Sequence, residues 1–254
     1  MAMFLPVFKN NIIFNHDSKL PRIFRMAVIG KSGSGKSVLT TQMILKEDFF
    51  DINQMYFYAK SLKKQPEINN IIYAFNKNLS KQTIINLFRH EDVTKENFKG
   101  YVDEIAIKLN EPNEVKCVVA SNANEMIDEN DLNEKRKNLV IFDDFQTDDT
   151  VNKIAESYFN NARKTNTNLI YIAQRYSGIP KCVKSNLNFV IAFNQRKRDA
   201  DEFFNDCLST FMDRADFLKL KQKTWDKDFH YIAVNLDNGK IFHDIFEEEI
   251  VDSD

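Results

Sequence analysis

Short, nearly unbroken apolar runs alternate along this chain with longer stretches in which apolar residues recur every three or four positions. The runs at 24–29, 54–59, 115–120, 138–143, 168–174 and 187–193 predict strands buried on both faces, as in a parallel sheet. Between them the helical period is clearest after Asp148-Asp149-Thr150, which offers capping residues and negative charge to a first turn. There Val151, Ile154, Ala155, Tyr158, Phe159 and Ala162 form one continuous stripe. A second helix is predicted from Ser37 to near Glu47, with Val38, Leu39, Met43, Ile44 and Leu45 as its buried face. Strand and helix in alternation predict an α/β fold, a mostly parallel central sheet with helices on both faces. Near the C-terminus, Tyr231–Leu236, the turn Asp237-Asn238-Gly239 and Lys240-Ile241-Phe242 predict a β-hairpin.

No internal repeat and no Pro/Gly linker interrupts the pattern; the chain has only six Gly and five Pro. One continuous domain over 23–246 is expected. An irregular arm over 1–22 precedes it, and an acidic tail over 247–254 follows. Residues 80–111 are polar and helical in pattern, which suggests a helical insert or lid.

Composition narrows the class. A net charge of −2 over 254 residues argues against wholesale polyelectrolyte binding. Cys117, Cys182 and Cys207 are odd in number and scattered, which suits a reducing compartment. His16, His90, His230 and His243 fall into no metal-binding spacing, so no zinc is expected. No apolar stretch is long enough to span a membrane, and the first residues do not read as a signal peptide.

The most specific signal is Gly30-Lys31-Ser32-Gly33-Ser34-Gly35-Lys36-Ser37, which directly follows the apolar run Met26–Ile29 and opens a helix. This is the complete phosphate-cradling pattern G-x-x-x-x-G-K-[ST] in the strand–loop–helix setting that gives it meaning. The glycines let backbone N–H groups wrap the phosphates, and the helix terminus adds its positive dipole end. Lys36 would reach the β- and γ-phosphates, and Ser37 would offer its hydroxyl to Mg²⁺. A nucleoside triphosphate with Mg²⁺ is therefore the expected ligand.

About a hundred residues on, Asn138–Phe142 is an apolar run tipped by Asp143 and Asp144. An acid at such a tip can hold the Mg²⁺ shell, which is assigned to Asp143. Asp144, one residue further, could orient or deprotonate the attacking water. Two more residues are candidates with competing readings. Gln174 closes the run Leu169–Ala173 and could contact the γ-phosphate or the attacking water, or be a polar strand end. Arg163 follows the helix stripe and could act on a phosphate or complement the helix dipole.

Charge distribution adds what net charge hides. Residues 157–198 hold Arg163, Lys164, Arg175, Lys181, Lys184, Arg196, Lys197 and Arg198, and no Asp or Glu. Such a stretch calls for an anion: DNA backbone, a neighbouring subunit's nucleotide, or this chain's own acidic 125–149 segment.

Three ordered blocks resemble the poxvirus-type DNA-packaging ATPases of the FtsK/HerA superfamily, which serve large DNA viruses and virophages. They are Pro21–Ser37, Val140–Asp144, and the segment from Asn161-Ala162-Arg163-Lys164 through Ile172-Ala173-Gln174 to Gly178-Ile179-Pro180-Lys181 and Lys184-Ser185-Asn186. The resemblance implies a RecA-like P-loop NTPase of the additional-strand type. It implies phosphate and Mg²⁺ contacts at Lys36, Ser37 and Asp143, catalytic acid/base work at Asp144, and γ-phosphate sensing by Gln174. It makes Arg163 a candidate arginine finger reaching the next subunit of a ring, pentamer or hexamer. Family members often carry His after that arginine, and Arg where Lys184 stands; Lys keeps the charge but not the bidentate geometry.

The function so implied is ATP-driven translocation of double-stranded DNA, without regard to sequence, into a preformed viral capsid. Partners would be DNA, copies of the chain and proteins of the capsid vertex, in the virion or the host cytoplasm's viral factory. Two rivals stand beside it: a monomeric P-loop switch or small-molecule kinase, and a virion protein that binds ATP without turnover. A GTPase is disfavoured because no N-K-x-D pattern occurs, and the intact acid pair argues against a non-catalytic role.

Overall fold

The computed structural model describes residues 13–109, 115–133 and 135–246. The expected acidic tail and residues 1–12 of the arm lie outside the described residues. Residues 13–22 form neither helix nor strand, but they are pinned: Phe14 and Leu20 are buried, and Asp17 N donates to Phe49 O at 3.2 Å.

The predicted apolar runs all become strands of one sheet: β1 (Arg25–Ile29), β2 (Gln54–Ala59), β3 (Lys116–Ala120), β4 (Asn138–Asp143), β5 (Thr167–Ala173) and β6 (Phe189–Phe193). These six are mutually parallel. β7 (Tyr231–Asn235) runs antiparallel to β6, and β8 (Ile241–Phe242) returns along β7 as the expected hairpin. The order across the sheet is β3-β2-β4-β5-β1-β6-β7-β8. The phosphate-loop strand β1 is thus separated from the acid-tipped β4 by β5, the strand leading to Gln174.

Helices cover both faces, divided by position in the chain. On one face lie α1 (Lys36–Leu45), α2 (Pro66–Asn76), α3 (Lys81–Arg89) and α4 (Phe98–Leu109). On the other lie α5 (Asp149–Asn161), α6 (Lys181–Asn186), α7 (Lys197–Phe203), extended by a π-turn over Phe204–Leu208, and α8 (Arg214–Trp225). Each strand feeds both clusters by alternation: Met26 and Val28 pack with the first, Ala27 and Ile29 with the second. Among the described residues no helix is long and apolar enough to cross a membrane.

Local details depart from the sequence reading. Val38 is not on the buried face of α1 but 62% exposed. Ile154 is only partly buried, whereas Val151, Ala155, Tyr158, Phe159 and Ala162 are fully inside. The polar stretch 80–111 contains α3 and α4, which bury Ile84, Leu87, Phe98 and Val102 in the face shared with α1 and α2. Lys81 Nζ donates to Phe50 O at 3.0 Å, just ahead of β2, so α3 starts at the sheet edge away from the phosphate loop.

At strand starts buried asparagines add side-chain bonds to the backbone ones. Asn168 Oδ1 accepts from Phe24 N at 3.0 Å, and Asn188 Oδ1 from Arg25 N at 2.7 Å. The run expected from 187 is a strand from Phe189; just ahead of it Asn188 bonds Arg25 through both its backbone N–H and its side chain.

Candidate active site

The parallel strands end on one edge of the sheet, and the segments after β1, β4 and β5 meet there, as ligand sites in open α/β sheets do. After β1 the chain turns through Gly30. A Cβ on Gly30 would lie 2.3 Å from Ser34 Oγ and 2.9 Å from Phe193 Cβ, so no side chain fits. Gly33 and Gly35 have φ of 76° and 100°, left-handed values that a Cβ opposes. Gly35 immediately precedes α1, so the unpaired N–H groups of that helix's first turn open beside the loop.

Within the loop Lys31 and Ser32 are exposed, while Ser34 is buried and its Oγ has no hydrogen-bond partner. An orphaned hydroxyl in a left-handed glycine loop suits a phosphate oxygen. Lys36 Nζ folds back onto its own loop, donating to Gly30 O at 2.5 Å and Lys31 O at 3.0 Å. Burial lowers its pKa; the carboxylates of Asp143 and Asp144 oppose that shift. Ser37 stands exposed on the first turn of α1.

Asp143 ends β4 and is buried; Gln65 Nε2 donates to its Oδ2 at 2.6 Å. Burial raises its pKa, the Gln65 bond opposes, Asp144 adds to the rise and Lys36 counters it. Asp144 is exposed with φ of 62°. Aspartate is among the few residues that tolerate this left-handed backbone. Its Oδ1 accepts from Gln174 Nε2 at 3.0 Å, and its N–H reaches Ile172 O at 3.4 Å.

Gln174 lies one residue beyond β5. Its N–H donates to Gln146 Oε1 at 2.9 Å, and Gln146 Nε2 donates to Arg175 O at 3.1 Å. Gln146 therefore latches the segment after β4 to the segment after β5. Gly178 gives it room: a Cβ there would lie 2.2 Å from Gln146 Nε2. Gln65 and Gln146 were not foreseen from sequence. Neither belongs to a recognisable motif, and only their positions, before Pro66 and two residues after Asp144, hint at them.

Two cavities flank this edge. One of about 600 Å³ is lined by Lys31, Ser32, Gln174, Arg175, Asn194 and Arg196. Another of about 440 Å³ lies among Lys60, Ser61, Asp144, Gln146 and Gln174. Among the described residues no group of three or more His, Cys, Asp or Glu could cage a metal ion. One buried carboxylate and one hydroxyl beside a phosphate loop instead suit Mg²⁺, which keeps waters and shares phosphate oxygens.

The structure thus brings together Gly30–Ser37, Asp143, Asp144 and Gln174. It does not bring Arg163 to them. Arg163 follows α5 at the opposite edge, where it and Arg22, Ile23, Asn188 and Asp237 line a separate cavity. There it crowds Arg25, whose pKa is lowered first by burial and then by the Arg163 charge. β5 alone has seven residues, roughly 20 Å at about 3.3 Å each, so Arg163 cannot reach its own phosphate loop.

Among the described residues no ion pair joins the acid-free stretch to the 125–149 segment. Of its eight cations only Lys184 forms an ion pair among the described residues, with Glu202, and its ammonium also sits 5.0 Å over the Tyr176 ring. Lys184 is thereby committed within the chain. Arg175, Lys181, Arg196, Lys197 and Arg198 are exposed.

Residues 11–222 match the sequence model of the Poxvirus A32 protein family. Among solved structures, B204, the DNA-packaging ATPase from Sulfolobus Turreted Icosahedral Virus, superposes with a TM-score of 0.51 at 15% identity. That match covers 86% of this chain and 96% of B204. The genome packaging NTPase B204 from Sulfolobus turreted icosahedral virus 2, in complex with AMP, gives 0.50 at 13% identity over 85% and 94% of the two chains. At these identities the likeness is one of fold. No curated protein matches the chain in sequence.

Proposed function

The chain belongs to the Poxvirus A32 protein family, and from that premise we propose that it is a viral DNA-packaging ATPase. The observation that carries this reading is the convergence of an open phosphate loop, a buried carboxylate and the Asp144–Gln174 pair on one sheet edge.

The roles follow from the placement. Backbone N–H groups of Gly30–Ser37 bind the ATP phosphates, and Lys36 leaves Gly30 O and Lys31 O for the β- and γ-phosphates. Ser37 and Asp143 would hold Mg²⁺, which would neutralise charge developing on the phosphoryl oxygens. Asp144 accepts the proton of the attacking water. Gln174, its backbone latched by Gln146, holds the Asp144 carboxylate in one orientation and senses the γ-phosphate through the same amide. Arg163, too far from its own loop, serves a neighbouring copy in a homo-oligomeric ring of five or six. The exposed cations around Arg175 and Arg196–Arg198 grip DNA phosphates without reading bases. Residues 23–246 make up the ATPase domain. The setting is the virion or the viral factory in the host cytoplasm, and the docking partner is the capsid vertex.

A kinase with a helical lid is less well supported, because α3 and α4 lie with α1 and α2 on one face of the sheet. The test is ATPase rate with and without long double-stranded DNA across salt. Stimulation at low salt that fades as salt rises is expected. Indifference to DNA at low salt would overturn the reading.

A further inference from the structure

We propose that Gln65 is a positioning residue for the metal site: it fixes one oxygen of Asp143 and offers its own carbonyl to a water of the Mg²⁺ shell. This rests on the reading of Asp143 given above.

Gln65 is held firmly at its base. It lies between the tight turn Leu62–Lys64 and Pro66, the first residue of α2. A following proline bars the helical region, and Gln65 has φ of −121° and ψ of 73°. Its N–H donates to Leu62 O at 2.9 Å, and its carbonyl accepts from Asn69 N at 3.1 Å. Asn69 Nδ2 in turn donates to Leu62 O at 2.8 Å, closing the turn. The side chain therefore projects from a fixed platform onto the tip of β4.

At that tip the amide has only one sensible orientation. An ionised carboxylate must face the amide N–H₂, and Nε2 reaches Asp143 Oδ2 at 2.6 Å. This leaves Oε1 buried and without a partner. A buried carbonyl lacking a donor is costly, and such groups are rare unless something absent from the protein itself supplies the partner. Here the orphan belongs to the same amide that holds the carboxylate assigned to Mg²⁺. Oε1 is thereby left as an acceptor for a water of the Mg²⁺ shell, while the Asp143 oxygen that Gln65 does not hold stays open to the metal itself. Outer partners that orient ligating carboxylates act in this way at metal sites generally.

The arrangement also ties metal loading to one loop. Lys60 and Ser61, a few residues before Gln65, line the cavity shared with Asp144 and Gln174. Holding Asp143 through Gln65 fixes that loop against the catalytic edge.

The experiment uses the full chain with a non-hydrolysable ATP analogue and measures Mn²⁺ affinity by electron paramagnetic resonance, alongside metal-free nucleotide binding. Gln65→Ala is expected to weaken Mn²⁺ binding about tenfold or more. Gln65→Met, which keeps the length, should do the same, and both should leave metal-free nucleotide affinity and metal-free thermal unfolding near wild type. Asp143→Asn serves as the reference for a lost metal carboxylate. Wild-type Mn²⁺ affinity in Gln65→Ala, where Asp143→Asn has lost it, overturns the proposal. Wild-type Mn²⁺ affinity in Asp143→Asn removes the Asp143 assignment and the proposal with it. Equal losses of metal-free and metal-dependent binding in both Gln65 variants would mark a loop-folding role instead, and would also overturn it.

Discussion

Asp144 combines a backbone demand with a chemical one, and the two can be separated. Its φ of 62° restricts the position to residues that tolerate the left-handed region, while its carboxylate, bonded to Gln174, is the candidate base. Asn tolerates the same backbone and can still accept from Gln174. Asp144→Asn is therefore expected to keep the melting temperature and ATP affinity while ATP turnover falls by about 10²-fold or more. Calorimetry, nucleotide titration and steady-state rates together check this; a turnover within a few-fold of wild type would remove Asp144 from the chemistry. At this scale Gly30–Ser37, Asp143, Asp144 and Gln174 were legible because each sits at a strand tip marked by an apolar run. Gln65 and Gln146 were not, because an amide in a loop acquires its meaning only from what it faces.

At the scale of elements, strand existence was readable, and β2 and β4 have the bounds expected; the other starts differ by one or two residues, and there side chains such as Asn168 and Asn188 add bonds to the neighbouring backbone. The segment before β1 is a second case: no period marks it, yet His16 is stacked on Phe14 and accepts from Asp51 N at 2.9 Å. Burial pushes the His16 pKa down from 6.5 to about 4, with Asp51 opposing. Between these values the unfolded chain binds more protons, so stability falls as pH drops from 6.5 towards 4. The loss expected from this shift is about 3 kcal/mol in total. Urea unfolding from pH 7 to pH 4 should show it, and His16→Gln should flatten the slope in that window. A variant profile parallel to wild type would show that other groups set the acid sensitivity.

For the whole molecule, the order β4-β5-β1 gathers acid, glutamine and phosphate loop on one edge and leaves Arg163 on the other. A residue so placed can act on a nucleotide only in another copy. Mixing tests this: Arg163→Ala subunits added to wild type should lower ATPase activity faster than their fraction, because each blocks a neighbour. A strictly linear decline would assign Arg163 a role within its own subunit, with Arg25 and Asp237. The charge of the acid-free stretch was legible from sequence, but its distribution was not. Tertiary contact with Glu202 and Tyr176 removes Lys184 from the exposed set and leaves Arg175 and Arg196–Arg198 outward.

By itself the sequence determined the ligand class and the layer architecture. Phosphate cradling needs a contiguous Gly-rich loop, and strands buried on both faces need contiguous apolar runs, so both are local and written along the chain. The tertiary structure alone decided which strand lies between β1 and β4, which amides hold the acids, and which edge carries Arg163. Those depend on crossover connections and on contacts between residues far apart in sequence, such as Gln65 with Asp143 and Gln146 with Gln174, which no local pattern encodes.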